Sequence, residues 1–132
     1  MASPVTLYEA MGGEETIRTL VASFYWRMQD STAYRHLREL HPQDLGNAED
    51  RLFKYLSGWT GGPQLFVQAY GHPRLRARHL HVAVDRLARD QWLACMAEAL
   101  AETVTEPALR AVLMEALAPL ADHMRNVDEP PG

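Results

Sequence analysis

Six histidines and one cysteine are the residues of this 132-residue chain best suited to bind a metal: His36, His41, His72, His79, His81, His123 and Cys95. A neutral imidazole suits zinc, copper or iron, but spacing alone does not choose among the six. His79 and His81 stand two apart, which on a helix turns them to different faces, so they are a poor chelating pair. No two histidines flank a carboxylate at the i, i+4 spacing of a zinc hydrolase. Neither a phosphate-binding glycine loop nor a serine in a nucleophile-elbow setting is present. Nothing here supports a hydrolase or a kinase. The single cysteine excludes an intramolecular disulfide and a cysteine-rich zinc site, and its apolar neighbours make it a small core residue.

The net charge of −4 argues against general affinity for nucleic acid or acidic membranes, which need basic surface. The positive charge is nevertheless concentrated. Between Gly71 and Asp90 stand Arg74, Arg76, Arg78, Arg86 and Arg89 against Asp85 and Asp90. Such a stretch serves either as a solvated helix face or as a site for a small anionic group.

The elements that must position these residues are helical. Apolar Ile17, Leu20, Val21, Phe24 and Met28 recur at intervals of three and four, the period of an amphipathic helix, with Tyr25 on the edge of the stripe. A shorter helix is predicted from Ala33 to Leu40, stopped by His41-Pro42 because the residue before proline leaves the helical region. Asp44 and Asn47 are candidate caps for a helix carrying Ala48, Leu52, Tyr55, Leu56 and Trp59. It ends before Gly61-Gly62-Pro63. Residues 61–71 read as an extended loop, and Pro73 suits the first turn of a short helix leading to His79. Leu87, Trp92, Met96, Ala99, Leu100 and Thr103 share a broad face of the next helix. Pro107 opens a last one, with Leu109, Val112, Leu113, Ala116, Leu117, Leu120 and Met124 as its buried stripe and a bend expected at Pro119. No strand pattern and no repeat appears, so the class is all-α. One domain over 1–132 is expected, with 128–132 a frayed tail. No run reaches the roughly 20 apolar residues of a membrane helix, no secretory signal opens the chain, and a cytoplasmic location follows as the default.

The order of motifs narrows this reading. Tyr8-Glu9, Gly12-Gly13, Phe24-Tyr25, Pro42 to Leu45 and Gly61-Gly62-Pro63 precede the block Gly71-His72-Pro73-Arg74-Leu75-Arg76-Ala77-Arg78-His79, and Trp92 follows His79 thirteen residues later. Across nearly its whole length the chain resembles the group II truncated haemoglobins. That resemblance implies a two-over-two helical sandwich around haem b, with His79 as the iron's axial ligand. A neutral imidazole can supply the fifth ligand and leave the sixth position for a diatomic gas. Arg78, beside His79, and Arg51, on the distal helix, become candidate partners of the haem propionates.

The resemblance also assigns Tyr25, His41 and Trp92 as polar distal groups, each able to donate a hydrogen bond. Ala48 and Leu52 lie on the distal helix, Ala48 leaving room for a ligand to enter. Leu52, Tyr55, Phe66, Leu75, Val84, Met96 and Leu117 are candidate walls of the haem pocket. The function implied is reversible binding of oxygen, carbon monoxide and nitric oxide. The alternative is a haem redox enzyme consuming nitric oxide or peroxide with an external reductase, since the same donors serve negative charge on a ligand's outer oxygen. Monomer and homodimer are both compatible with the sequence.

Overall fold

A computed structural model describes residues 5–74, 77, 79 and 82–127. In chain order these form α1 (Leu7–Met11), α2 (Gly13–Asp30), a 3-10 turn (Thr32–Tyr34), α3 (Arg35–Glu39), α4 (Gly46–Trp59), α5 (Leu65–Tyr70), α6 (Arg86–Thr103) and α7 (Pro107–His123). Among the described residues there is no strand.

Helix α2 is the centre of the packing. It lies against α4 on one side and α6 on the other, while α7 packs on α6, which gives the two helix pairs of a two-over-two sandwich. Its stripe is buried as the periodicity predicts: Ile17 and Phe24 are fully covered and Leu20, Val21 and Met28 nearly so. They meet Cys95, Met96, Ala99 and Leu100 of α6 in one core. Burying side chains of this size contributes about 1.5–3 kcal/mol each, and the two long helices supply most of them.

The ends of α6 are set by specific bonds. Asp85 is the N-cap, its Oδ1 accepting from Ala88 N at 2.8 Å and facing His36 Nε2 at 3.0 Å. Nearly two turns on, Gln91 Oε1 accepts from Leu37 N at 2.9 Å. Helix α3 is thereby fastened to the start of α6 at two points. Beyond it, Arg38 donates to Pro42 O at 3.0 Å and to Gln43 O at 2.9 Å, closing the corner that carries His41.

Four sequence expectations need correction. Residues 61–71 are not a continuous loop, because Leu65–Tyr70 is helical. Phe66 turns inward there and meets Tyr55 and Tyr70 at 6.1 and 5.0 Å, so one buried aromatic organises a segment too short to show a period. Neither Asn47 nor Asp44 is the N-cap of α4, which is Leu45 and makes no side-chain cap bond. Asp44 Oδ1 accepts from Gly46 N at 2.8 Å, and Asn47 already lies within the first turn. Pro73 is not itself in a helical turn, since Arg74 after it adopts φ +42°, outside the right-handed region, although Ala77, two residues before His79, is helical. Finally, Leu87 and Val112 are half exposed and Ala116 faces outward. Ala88 is the inward residue beside Leu87, and Leu113 and Leu117 are the inward residues beside Val112 and Ala116. Helix α7 continues through Pro119 to His123. The tail expected to fray, 128–132, lies outside the described residues.

Candidate functional site

Three of the expected polar groups converge on one side of the core through Phe24. Its ring stands edge-on to Tyr25 at 5.0 Å and tilted against Trp92 at 5.4 Å. Tyr25 also meets His41 edge-on, at 6.1 Å. The three come from α2, the corner after α3, and α6, so tertiary packing alone brings them together. Phe24 itself was legible as a core position and as part of the Phe24-Tyr25 motif, not as the ring that joins these groups.

Their protonation states follow from their surroundings. Tyr25 is 8% exposed, and burial, with smaller contributions from Glu49 and Cys95, drives its phenol far above the ordinary value. It stays a neutral hydroxyl and donates to Ala48 O at 3.3 Å, a long bond. His41 Nδ1 lies 2.9 Å from Leu37 O. A carbonyl can only accept, so Nδ1 carries the proton. Burial lowers the pKa of this ring, with Arg38 and His79 adding to the effect against the opposing Leu37 bond. His41 is therefore neutral near pH 7, with Nε2 bare. It presents an acceptor to its surroundings where the sequence led us to expect a third donor.

His79 is exposed in a turn closed by Val82 N donating to His79 O at 3.0 Å. Its imidazole lies within electrostatic reach of His41. His36, by contrast, is engaged with Asp85, and His72 and His123 are exposed elsewhere on the chain. Ala48 and Leu52 are half buried on successive turns of α4 and pack on the core.

The expected walls separate into groups. Tyr55 and Phe66 line a shared cavity of about 180 Å³ with Trp59, Val67 and Pro73. Met96 and Leu117 belong to the central core, and Val84 is half buried between His79 and α6. A second cavity of about 390 Å³ reaches Tyr25 from outside, between α2 and the start of α4, past Trp26 and Glu49. Of the arginines, Arg51 lies over the Tyr70 ring at 5.5 Å. Arg89 pairs with Asp122 and Asp90, which removes it from the cationic patch. Arg78, Arg76 and Leu75 lie outside the described residues.

A single exposed imidazole at His79 is chemically compatible with a haem iron. Among the described residues no three His, Cys, Asp or Glu side chains gather to hold a metal. A single imidazole suffices only where a macrocycle brings the remaining ligands.

Comparison with known proteins agrees. The bacterial-like globin family profile matches residues 6–126. The group 2 truncated hemoglobin YjbI of Bacillus subtilis is 36% identical over 122 residues, covering 92% of this chain and 89% of that protein. The group II 2-on-2 hemoglobin of Agrobacterium tumefaciens is 40% identical, with a TM-score of 0.93 over 98% of this chain and 100% of that one. A truncated oxygen-avid haemoglobin from Bacillus subtilis superposes with a TM-score of 0.84 at 35% identity, over 92% of this chain and all of its own. The chain belongs to the bacterial-like globins, among the group II truncated haemoglobins.

Proposed function

We propose that this chain reversibly binds oxygen, and with it carbon monoxide and nitric oxide, at haem b held by His79, with Tyr25 and Trp92 as distal donors. The carrying observation is the convergence of Tyr25, Trp92 and His41 around Phe24, within electrostatic reach of His79. Haem supplies an iron with one position open to a diatomic gas. The protein's part is to hold that iron through His79, to present O–H and N–H groups toward the ligand's outer atom, and to exclude bulk water with apolar walls. Tyr55 and Phe66 are suited to the wall, with Leu52, Val84, Met96 and Leu117 contributing where they border it. Arg51 is a candidate for the propionates.

His41 acts differently from the other two. Its bare Nε2 can accept from Tyr25 or from water, so it tunes where a hydroxyl points. The relative described as oxygen-avid supports a long-lived oxygen complex here as well. Turnover of nitric oxide or peroxide would draw on the same donors and an external reductase. Steady-state kinetics with a supplied reductant separate that use from binding alone.

The test of the haem assignment is His79→Gly. Stable haem incorporation should be lost and partly restored by free imidazole, whereas His36, His72 or His123 variants should keep the parent absorption spectrum. Retention of the proximal signal in His79→Gly, with loss in one of the others, would overturn the assignment.

A further inference from the structure

Asn126, just past the end of α7, reaches back to the segment that carries His79. Its Nδ2 donates to His79 O at 3.0 Å and to Val82 O at 2.8 Å. Its Oδ1 accepts from Val84 N at 2.9 Å, and its own N–H donates to Val84 O at 3.0 Å. One side chain thus uses both amide hydrogens and its oxygen on a single stretch of backbone. The orientation of the amide is fixed chemically. Its nitrogen faces two carbonyls that can only accept, and its oxygen faces an N–H that can only donate.

The stretch needs such a partner. Among the described residues, His79 and residues 82–84 lie outside any helix, so none supplies partners for the backbone groups of Val82 and Val84. Asn126 is itself anchored. Met124 N and Arg125 N donate to Ala121 O and Asp122 O, and Asp122 pairs with Arg89 of α6 and with Arg125. The carbonyl of His79 is therefore tied through Asn126 to the end of α7, and through the Asp122–Arg89 pair to the start of α6.

We propose that Asn126 is a positioning residue for His79, fixing the backbone from which the imidazole reaches the iron. This rests on His79 being the proximal ligand. Groups that hold a ligating residue from behind set its orientation and bond strength. No other side chain substitutes. Aspartate would set a carboxylate oxygen against two carbonyl oxygens, glutamine is one methylene too long, and alanine leaves Val82 O and Val84 N without this partner.

The experiment uses the haem-loaded full chain with Asn126→Asp and Asn126→Ala. In the ferrous, ligand-free state both should lower or broaden the iron–histidine stretching band in resonance Raman spectra. Haem transfer to an excess of an acceptor apoglobin should quicken about tenfold, the worth of one lost hydrogen bond at about 1.4 kcal/mol. The ratio of oxygen to carbon monoxide dissociation rates, set on the distal side, should hold. In the haem-free protein the Val84 amide should exchange faster with solvent. Should the aspartate variant unfold, the alanine variant, which buries no charge, carries the same test. An unchanged band and unchanged haem retention, with Val84 exchange accelerated, would overturn the positioning role. His79→Gly run in parallel separates the two ideas. If it keeps the histidine band, the proximal assignment fails and this inference with it. If it removes the band while the Asn126 variants leave it untouched, only the positioning role fails.

Discussion

Tyr25→Phe removes one hydroxyl and little else. The buried ring keeps its edge-on contacts with Phe24 and His41, and Ala48 O, the acceptor it loses, belongs to the first turn of a helix. In the presence of a gas the hydroxyl must choose between that carbonyl, at 3.3 Å, and the ligand. A hydrogen bond to an atom with partial negative charge is worth about 1.5–3 kcal/mol, and a long neutral one about 0.5–1 kcal/mol. The difference, about 0.5–2.5 kcal/mol, sets the acceleration of oxygen release at roughly two- to seventyfold. Carbon monoxide, the less polar ligand, should be released at nearly the parent rate. Trp92→Phe should behave alike while keeping its packing on Phe24, and because both donors serve one ligand the double variant should fall short of the summed effects. Burial holds the Tyr25 phenol far above its ordinary value of 10.0, so its contribution should be flat from about pH 6 to about pH 9. Stopped-flow dissociation of both gases from the same samples is the assay. Equal acceleration of the two would indicate a steric effect, and no acceleration of oxygen in any variant would refute the donor network. Slower release in Tyr25→Phe would show that tyrosine competes for the bond Trp92 offers.

Ala48→Trp should slow carbon monoxide association, because Ala48 is the small residue at the start of the distal helix. An unchanged rate at full haem occupancy, with a lowered melting temperature, would make it a packing position instead. Cys95 is fully buried with Sγ–H donating to Phe24 O at 3.2 Å, and burial pushes its thiol up to about 12 from an ordinary 9.0. The folded protein should resist thiol reagents near neutral pH while the urea-unfolded chain reacts fully. Since the folded pKa lies above the unfolded one, this contribution to stability is complete below about pH 9 and is lost as pH rises toward about 12; a urea midpoint that stays constant through this range contradicts it. Gly62→Ala should cost about 1–3 kcal/mol, because its Cβ would stand 2.3 Å from Tyr8 Cδ2. Pairing it with Tyr8→Ala should leave little further loss in a thermal melt, and a fully additive result would place the strain elsewhere.

The long helices were legible because their apolar residues repeat over many turns: Ile17 through Met28 and Leu113 with Leu117 are buried where the period puts them. Leu65–Tyr70 was not, since six residues give less than two full periods and its anchor is a tertiary contact between Phe66 and Tyr55. Leu87 misled because the inward position beside it is taken by Ala88, whose burial leaves little trace in a hydropathy pattern, and Val112 because the adjacent Leu113 takes the inward place. Within the site, Tyr25, His41 and Trp92 could be singled out by motif order. The state of His41 could not, because it depends on a main-chain oxygen four residues earlier. Asn126 carried no signal at all: a lone asparagine near a chain end is ordinarily a surface residue, and its partners lie more than 40 residues away.

The two sides of the site are held by different physics, and this bears on which properties can vary independently. Tyr25 and Trp92 project from α2 and α6, whose separation is fixed by fully buried side chains between them, Phe24, Cys95 and Met96 among them. Close-packed interiors resist small displacements, so distal geometry should respond mainly to changes in the donors themselves. His79 sits instead on irregular backbone held by directional bonds from Asn126 and the turn to Val82. Such bonds can be altered one at a time without opening a cavity in the core. With His79 as the proposed iron ligand, haem retention and the strength of the iron–histidine bond should be adjustable through the polar residues near the end of α7. With Tyr25 and Trp92 as the proposed donors, discrimination between gases should rest on the interior contacts of α2 and α6, where a substitution large enough to move a donor also disturbs the core.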